Sequence, residues 1–329
     1  MQTATETCPH AHLKERIENG VLSAGDWCGL SLDVDDPIFG KPDNCIIRPL
    51  TKNLIVAPEK SFKTTFALRL MLGLSCGKAA FPQLDVSKPR RVLYIHGELS
   101  PTEIQDRTRK ALPGWDDSNF YQVCNRAVNL CAPEGKRTLK DILENHKTNG
   151  ANPEVLVFDP WQEFIAGFDE NNFKEISGAT KFIGSLIDEH RLTVFLVMHT
   201  GKDPAKGARG HSILAGWRDT LISLYRKGNQ DCVTVTVDPR WARPVPPFSL
   251  KFERGTVWPS GSSVPRFARQ AERIRQIVAD NGGQLTKDEV GRKLGLKREA
   301  AQKALKRAQD CGAIQVSGDV VMLSPFPEN

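Results

Sequence analysis

Short apolar runs alternate along roughly the first 200 residues with segments whose apolar positions recur at helical spacing. The apolar runs lie at residues 53–56, 91–98, 121–123, 154–159 and 192–199, and the helical segments lie at 65–72, 101–112, 139–146 and 172–190. Continuous apolar strands are typical of a sheet that is buried on both faces. Because strands alternate with helices, we predict an α/β fold in which helices cover both faces of a parallel sheet.

A second pattern begins near residue 219, where the candidate strands become short. They lie at residues 221–224, 233–237 and 248–252, and they predict an antiparallel extension of the sheet. The turn-rich stretch 244–247 connects two of them. The small and polar residues of 261–265 predict a linker between domains.

A third pattern follows the linker and contains three helical segments and a hairpin. The helices are predicted at 266–279, 286–295 and 297–310, and the hairpin at 313–323. Thr286, with Glu289 three residues later, is a capping-box signature. Three helices and a hairpin within about 60 residues follow the order of a winged helix. We therefore predict a partly flexible N-terminal segment at 1–43, a core domain at 44–260 and a winged-helix domain at 261–329.

The most informative stretch is the loop between the run 53–56 and the helix that follows it. Its positions are Ala57, Pro58, Glu59, Lys60, Ser61, Phe62, Lys63, Thr64 and Thr65. A strand, a loop, Lys-Thr and a helix are the layout of a phosphate-binding P-loop. In such a loop, backbone N–H groups and the helix dipole bind phosphate, the lysine reaches the outer phosphates, and the hydroxyl holds Mg²⁺. Lys63 and Thr64 are the candidates for the last two tasks.

Both glycines of this motif are replaced, the first by Ala57 and the second by Phe62. Glycine is favoured where a Cβ would collide with the loop or force an unfavourable dihedral. Alanine is a small change, whereas the ring of Phe62 must leave the phosphate cradle. The alternative interpretation is a strand, a turn and a helix that merely contain Lys-Thr.

Three polar side chains end other predicted strands, namely Glu98, Asp159 and His199. Ligands of open α/β sheets bind at the carboxyl ends of the strands, so we expect these side chains beside the loop. Asp159 would hold the metal, and Glu98 would orient or deprotonate the attacking water. The alternatives are a solvated Asp-Pro turn for Asp159, a helix N-terminal acid for Glu98 and a buried, hydrogen-bonded ring for His199.

Composition narrows the class of protein. With 329 residues, the chain is long enough for one large and one small domain, and 40% apolar with 26% charged residues fits a soluble protein. No apolar run reaches the length of about 18 residues that a membrane span needs, and the polar segment 1–12 has no signal region. The scattered cysteines indicate reduced thiols in a cytoplasmic protein, and Cys8 to His12 is either a metal fragment or, more simply, a mobile tail. A net charge of +6 permits an acidic partner without requiring one.

Taken together, these motifs resemble the RepA-like branch of RecA-fold ATPases, which includes plasmid and phage replication helicases and proteins of mobile elements. The resemblance covers residues 45–225 and is carried by the loop with Lys63-Thr64-Thr65, by 94–100, by 157–160, by 197–202 and by 208–212. It implies a RecA-like core, ATP with Mg²⁺, and often a hexameric ring. The chain departs from the family at the two glycines and at His211, which precedes Ser212.

The resemblance also suggests roles for the basic loop that contains Lys202 and Arg209. These two side chains would reach the γ-phosphate of a neighbouring subunit as cationic fingers, and His199 would report phosphate loss to the DNA-binding surface. The same loop, with Lys206, would alternatively line a channel around single-stranded DNA or remain a solvated basic loop.

The third C-terminal helix carries a set of cations, Lys297, Arg298, Lys303, Lys306 and Arg307. In a winged helix these would contact duplex DNA, although a solvated face or a protein-docking module would look the same.

The leading hypothesis is an ATP-dependent DNA helicase or DNA-remodelling ATPase. The second is a non-motor replication initiator or regulator that uses nucleotide as a switch. A third, an adaptor with a dead ATPase fold, is disfavoured because both Glu98 and Asp159 are retained.

Overall fold

A computed structural model of the protein describes residues 23–28, 36–111, 119–169, 172–199, 214, 216–226, 231–253, 255–259, 266–310 and 314–323. The chain divides into two compact units, residues 1–35 and 36–329. In the first unit, the short helix Ala24–Cys28 is described. The remaining elements all belong to the second unit.

The second unit is built on a large mixed sheet that contains nine strands within the described residues. A separate hairpin, β1 (Phe39–Lys41) and β2 (Asn44–Ile47), precedes it. The sheet strands are β3 (Lys52–Ala57), β4 (Val92–His96), β5 (Phe120–Cys124), β6 (Val155–Asp159), β7 (Thr193–His199), β8 (Thr220–Arg226), β9 (Cys232–Pro239), β10 (Val245–Glu253) and β11 (Thr256–Pro259). Their order is β5-β4-β6-β7-β3-β8-β9-β10-β11, parallel from β5 to β8 and antiparallel beyond.

Helices cover both faces of the parallel part, because successive residues of a strand point to opposite sides of a sheet. On one side, Ile55 packs in a core cluster with the helix Lys63–Ser75. On the other side, Leu54 packs in a second cluster with the helix Phe173–His190. This confirms the predicted α/β architecture. The other described helices of this region are Pro101–Ala111, Pro133–Thr148 and the 3-10 turn Trp161–Ile165.

Several elements differ from the sequence-based expectation, and one of them is the predicted connector 244–247, most of which belongs to β10. The strand predicted at 221–224 pairs in parallel with β3, so the antiparallel extension begins one strand later, at β9. The helix predicted at 139–146 begins earlier, at Pro133. Proline suits a first helical turn, because its fixed φ is helical and the N–H that it lacks would have no partner there.

The C-terminal part contains the helices Arg266–Ala279, Lys287–Leu294 and Arg298–Asp310. Three short strands, β12 (Gln284–Thr286), β13 (Ile314–Ser317) and β14 (Val320–Leu323), form an antiparallel sheet in the order β12-β14-β13. These elements share a hydrophobic core of their own, made by Ile274, Val278, Val290, Ala304, Leu305, Ala308, Ile314 and Val321. The predicted helices and hairpin are therefore present, and the assignment as a winged helix stays a prediction.

The second helix of this part begins as its sequence predicts. Glu289 N donates to Thr286 Oγ1 at 3.3 Å, and Thr286 N donates to Glu289 Oε2 at 2.8 Å. Gly295, with φ of 68°, ends the helix in the left-handed region. The predicted linker 261–265 lies outside the described residues. Of the helices in the described part of the chain, none combines the length and apolar character needed to cross a membrane.

Candidate nucleotide-binding site

The loop of residues 57–62 opens onto a cleft at the carboxyl edge of the parallel strands. The cleft has a volume of about 680 Å³, within the range of sites for small molecules. It is lined by Glu59, Lys60, Ser61, Phe62, Lys63, Thr64, Thr65, Glu98, Leu99, Asp106, Arg107, Lys110, His199, Phe252 and Gly255. The register of the strands explains why the residues at their carboxyl ends lie together, since Ala57 pairs with His199 and His96 pairs with Asp159 across neighbouring strands.

The helix Lys63–Ser75 leaves its N-terminus open to the cleft. Its N-cap residue is Phe62, and no side chain caps the helix there. The first N–H groups of a helix lack intrahelical acceptors, and the helix dipole favours an anion at this end. The loop therefore has the backbone features of a phosphate site.

Two residues of the loop, Lys60 and Phe62, adopt left-handed backbone conformations, each with φ of 59°. This conformation costs a residue with a Cβ roughly 1–2 kcal/mol. Phe62 stands at the position of the second P-loop glycine and adopts a conformation that glycine reaches freely. The backbone of the loop therefore has a conformation typical of glycine at position 62, although the residue there is phenylalanine.

The ring of Phe62 packs toward the antiparallel side of the sheet. It stacks on Phe252 with ring centroids 4.2 Å apart and an angle of 4° between the planes. The guanidinium carbon of Arg226 lies 4.5 Å from the centroid of the same ring, and an Arg226 nitrogen donates to the Lys60 carbonyl at 2.5 Å. Contacts of these kinds contribute roughly 0.5–1.5 kcal/mol each, which is enough to offset the backbone cost.

Lys63 points to the end of β7. Its ammonium lies 2.8 Å from Nε2 and 3.2 Å from Nδ1 of His199. Burial lowers the pKa of Lys63, while the charges of Asp159, Glu98 and Glu59 raise it. Burial, and then the charge of Lys63, lower the pKa of His199. This favours a neutral imidazole whose lone pair accepts from the ammonium.

Asp159 is the most buried acid of the site, with 2% of its surface exposed. Its carboxylate accepts from the Tyr94 hydroxyl at 2.6 Å and from the Thr64 hydroxyl at 3.2 Å. Burial raises the pKa of Asp159, and the contacts with Tyr94, Lys63 and Thr64 oppose that shift. Mg²⁺ prefers oxygen ligands and binds through one or two protein groups together with phosphates, so the paired oxygens of Thr64 and Asp159 suit this ion.

Glu98 is exposed and faces the cleft from the end of β4. The alternative role considered for Glu98 is that of an acid at the start of the helix Pro101–Ala111. In the structure Glu103 occupies that place, and its carboxylate accepts from the backbone N–H and the hydroxyl of Ser100. Gly97 lets the chain pass close to Glu163, because a Cβ at this position would lie 2.5 Å from Glu163 Cβ.

Two residues of the site had no assignment from the sequence, namely Arg107, which lines the cleft, and Tyr94, a buried residue that contacts Asp159. The charge of Arg107 contributes to the pKa shifts of Lys63 and Asp159, which places it near the proposed phosphate and metal groups. Ile104 and Ala111, on the same face of the helix as Arg107, are buried, but helical spacing alone does not show that this face borders the cleft. The pairing of Tyr94 with Asp159 depends on strand register and has no local signal.

Two sets of predicted residues are not tested by the described part of this cleft. Lys202 and Arg209 lie outside the described residues, as does Lys206. The five cations of the third C-terminal helix, Lys297, Arg298, Lys303, Lys306 and Arg307, are all exposed. None of them forms an ion pair with another described residue. Their predicted role in binding DNA stays a prediction.

Comparison with known proteins identifies one similarity. Residues 47–205, slightly less than half of the chain, match a family model described as an AAA domain. The matched segment includes the loop, Glu98, Asp159 and His199. The similarity supports a nucleotide-hydrolysing P-loop ATPase. A comparison with curated proteins finds no match.

Proposed function

We propose that this chain is an ATP-dependent DNA helicase or DNA-remodelling ATPase of the RepA-like type, acting in the replication or mobilisation of a plasmid, phage or other mobile element. The observation that most supports an ATPase is that Lys63, Thr64 and Glu98 line one cleft beside an uncapped helix N-terminus, with Asp159 hydrogen-bonded to Thr64. Each of the four is a residue type that phosphoryl transfer to water requires.

In the proposed reaction, the loop amides and the N-terminus of the helix Lys63–Ser75 bind the phosphates of ATP. Lys63 neutralises charge on the β- and γ-phosphates. It exchanges its contact with His199 for a phosphate contact, so His199 is placed to respond to the γ-phosphate. Arg107, which also lines the cleft, adds positive charge near the transferring group.

Mg²⁺, when bound with ATP, neutralises charge that develops on the phosphates. Thr64 would hold it directly and Asp159 through water. Tyr94 keeps the Asp159 carboxylate oriented through its 2.6 Å hydrogen bond. Glu98, exposed at the cleft, orients the attacking water and accepts its proton.

Action on DNA is proposed from the C-terminal part and from the basic loop. The exposed cations of the helix Arg298–Asp310 would bind duplex phosphates, and the loop 202–209 would contact a single strand. A homo-oligomer, in the form of a hexameric ring, would let Arg209 complete the site of a neighbouring subunit.

One observation favours the second candidate, a nucleotide-dependent switch without motor activity. Lys63 and His199 make a direct contact that nucleotide must break, which is the kind of exchange that a switch uses. The two candidate functions differ in whether DNA stimulates ATP hydrolysis.

The test measures ATP hydrolysis by the full chain with no DNA, with single-stranded DNA and with duplex DNA, together with particle mass under each condition. DNA-stimulated turnover in a ring-sized particle is the result expected for the motor. Nucleotide binding without DNA-stimulated turnover supports the switch, and failure to bind nucleotide contradicts both.

A further inference from the structure

We propose that Arg226 and Phe252 are positioning residues that hold the phosphate-binding loop in its left-handed conformation, in place of the missing glycine. The inference rests on the proposed nucleotide binding by this loop. Neither residue belongs to the loop or carries a group proposed to contact phosphate, since Arg226 ends β8 and Phe252 lies in β10.

The loop needs such support because Lys60 and Phe62 are left-handed at alternate positions. A residue with a Cβ keeps this conformation only where its surroundings hold it. In the described part of the chain only two other residues besides glycine have positive φ, Leu50 and Arg191. The loop therefore concentrates backbone strain at the start of the helix Lys63–Ser75.

A single guanidinium contacts both strained residues. Arg226 lies over the Phe62 ring at 4.5 Å and donates to the carbonyl of Lys60 at 2.5 Å. It ends β8, and β8 pairs directly with β3, the strand that leads into the loop. The contact therefore joins the ends of two neighbouring strands.

Phe252 supports the opposite side of the same ring system. Its ring is nearly parallel to that of Phe62, and both rings pack against the main hydrophobic core. Asp231 connects the two supporting residues, because its carbonyl accepts from Phe252 N at 2.6 Å and its carboxylate lies 4.0 Å from Arg226. The three residues thus form a connected group, and two of them, Arg226 and Phe252, contact the loop.

The consequence is a loop that is already shaped for phosphate before nucleotide arrives. Preorganisation raises affinity, because less ordering remains to be done on binding. It also makes β8 and β10 part of the nucleotide site, although they carry none of the groups proposed to contact phosphate.

The test is a double-mutant cycle between Arg226→Gln and Phe62→Gly, since coupling between two changes isolates their interaction. The probe is ADP carrying a fluorescent methylanthraniloyl group, whose Kd is measured for the four proteins. Hydrogen exchange of the amides at 59–64 is followed in parallel, without nucleotide. Arg218→Gln, just before β8, is the matched control, because it removes a guanidinium and an ion pair away from the loop.

We expect Arg226→Gln to weaken ADP binding about tenfold and to speed exchange in the loop. In the Phe62→Gly background the same change should have a smaller effect, because glycine needs no support for a left-handed φ and only the contact of Arg226 with the Lys60 carbonyl remains to be lost. Phe252→Leu should repeat this pattern, and Phe62→Ala should lose more affinity than Phe62→Gly. Arg218→Gln should leave Kd and exchange unchanged.

Equal losses in both backgrounds would overturn the proposal, since the effect of Arg226 would then not depend on the conformation of residue 62. An Arg226→Gln protein with unchanged Kd and exchange would overturn it as well. If the unaltered protein binds no ADP, the proposed function fails, but coupling in the exchange rates would still support the positioning role. Coupling absent from both measurements, in a protein that binds ADP, overturns the positioning role alone.

Discussion

The ammonium of Lys63 lies 2.8 Å from Nε2 of His199, at the point where β3 and β7 end side by side. The Lys63 ammonium thus contacts the neutral imidazole of His199 rather than a carboxylate. Such a cation is available to an incoming phosphate at the cost of one hydrogen bond. This relationship motivates the first prediction.

Lys63→Ala should lower ATP turnover by at least a hundredfold, because removing a preorganised charge from a transferring phosphoryl group has effects of this size. Lys60→Ala is the matched control. Its side chain is exposed on the same loop, and its carbonyl, which the substitution keeps, makes the contact with Arg226. Steady-state hydrolysis measures both. A larger loss in Lys60→Ala would show that the register assigned to the motif is wrong.

Glu98→Gln should retain nucleotide binding and lose hydrolysis, because the amide has nearly the same shape but cannot accept a proton from water. Glu59→Gln serves as the control, since Glu59 is another exposed carboxylate of the cleft. Binding of labelled ADP and turnover of ATP are measured for each. If Glu59→Gln abolishes turnover while Glu98→Gln does not, the catalytic carboxylate is Glu59.

Tyr94→Phe should lower the free energy of unfolding by about 1–3 kcal/mol, because it removes a buried hydrogen bond to a carboxylate. The bond joins the Tyr94 hydroxyl to Asp159 at 2.6 Å. It should also raise the Mg²⁺ concentration needed for half-maximal turnover, since Asp159 loses an orienting partner. Tyr121→Phe, in the neighbouring strand β5, should change stability by less than about 0.5 kcal/mol. Urea denaturation and a Mg²⁺ titration measure the two effects.

Acid sensitivity should depend on His96, which is fully buried in β4. Burial lowers its pKa from 6.5 to about 4, and its Nε2 donates to Gln122 at 3.0 Å. Between pH 6.5 and pH 4 the unfolded chain binds this proton and the folded chain does not, so the free energy of unfolding falls as pH falls. The decrease across this range is about 3 kcal/mol.

His96→Gln should remove that part of the pH dependence, which urea denaturation at several pH values measures. The comparison with the unaltered protein is needed because Asp159, whose pKa is raised by burial, acts in the opposite direction. An unchanged slope between pH 6.5 and pH 4 in the His96→Gln protein contradicts the prediction.

Arg298→Ala combined with Arg307→Ala should weaken binding of duplex DNA and flatten its salt dependence by about one unit of log–log slope for each phosphate that is no longer neutralised. Deletion from about residue 262 onward should leave a folded ATPase, because the C-terminal part has its own core. Fluorescence anisotropy at several salt concentrations measures the affinity. If the truncated chain holds duplex DNA as tightly as the whole chain, the C-terminal part is a protein-docking module instead.

Local patterns in the sequence determined the parallel strands and the helices between them. Four buried strands are continuous apolar runs, and the polar residues that end three of them mark one sheet edge. The capping box of Thr286 and Glu289 is equally local, since both partners lie within one turn. Such features are readable because the interacting residues are close in sequence.

Only the tertiary structure decided how the loop tolerates Phe62. The left-handed conformation and the position of the ring depend on Arg226 and Phe252, which lie on strands far along the chain. Strand register likewise placed Tyr94 on Asp159, and the rotation of the helix Pro101–Ala111 turned Arg107 into the cleft. The parallel pairing of β8 with β3 escaped prediction for the same reason: strand direction is set by contacts between distant segments, which periodicity does not encode.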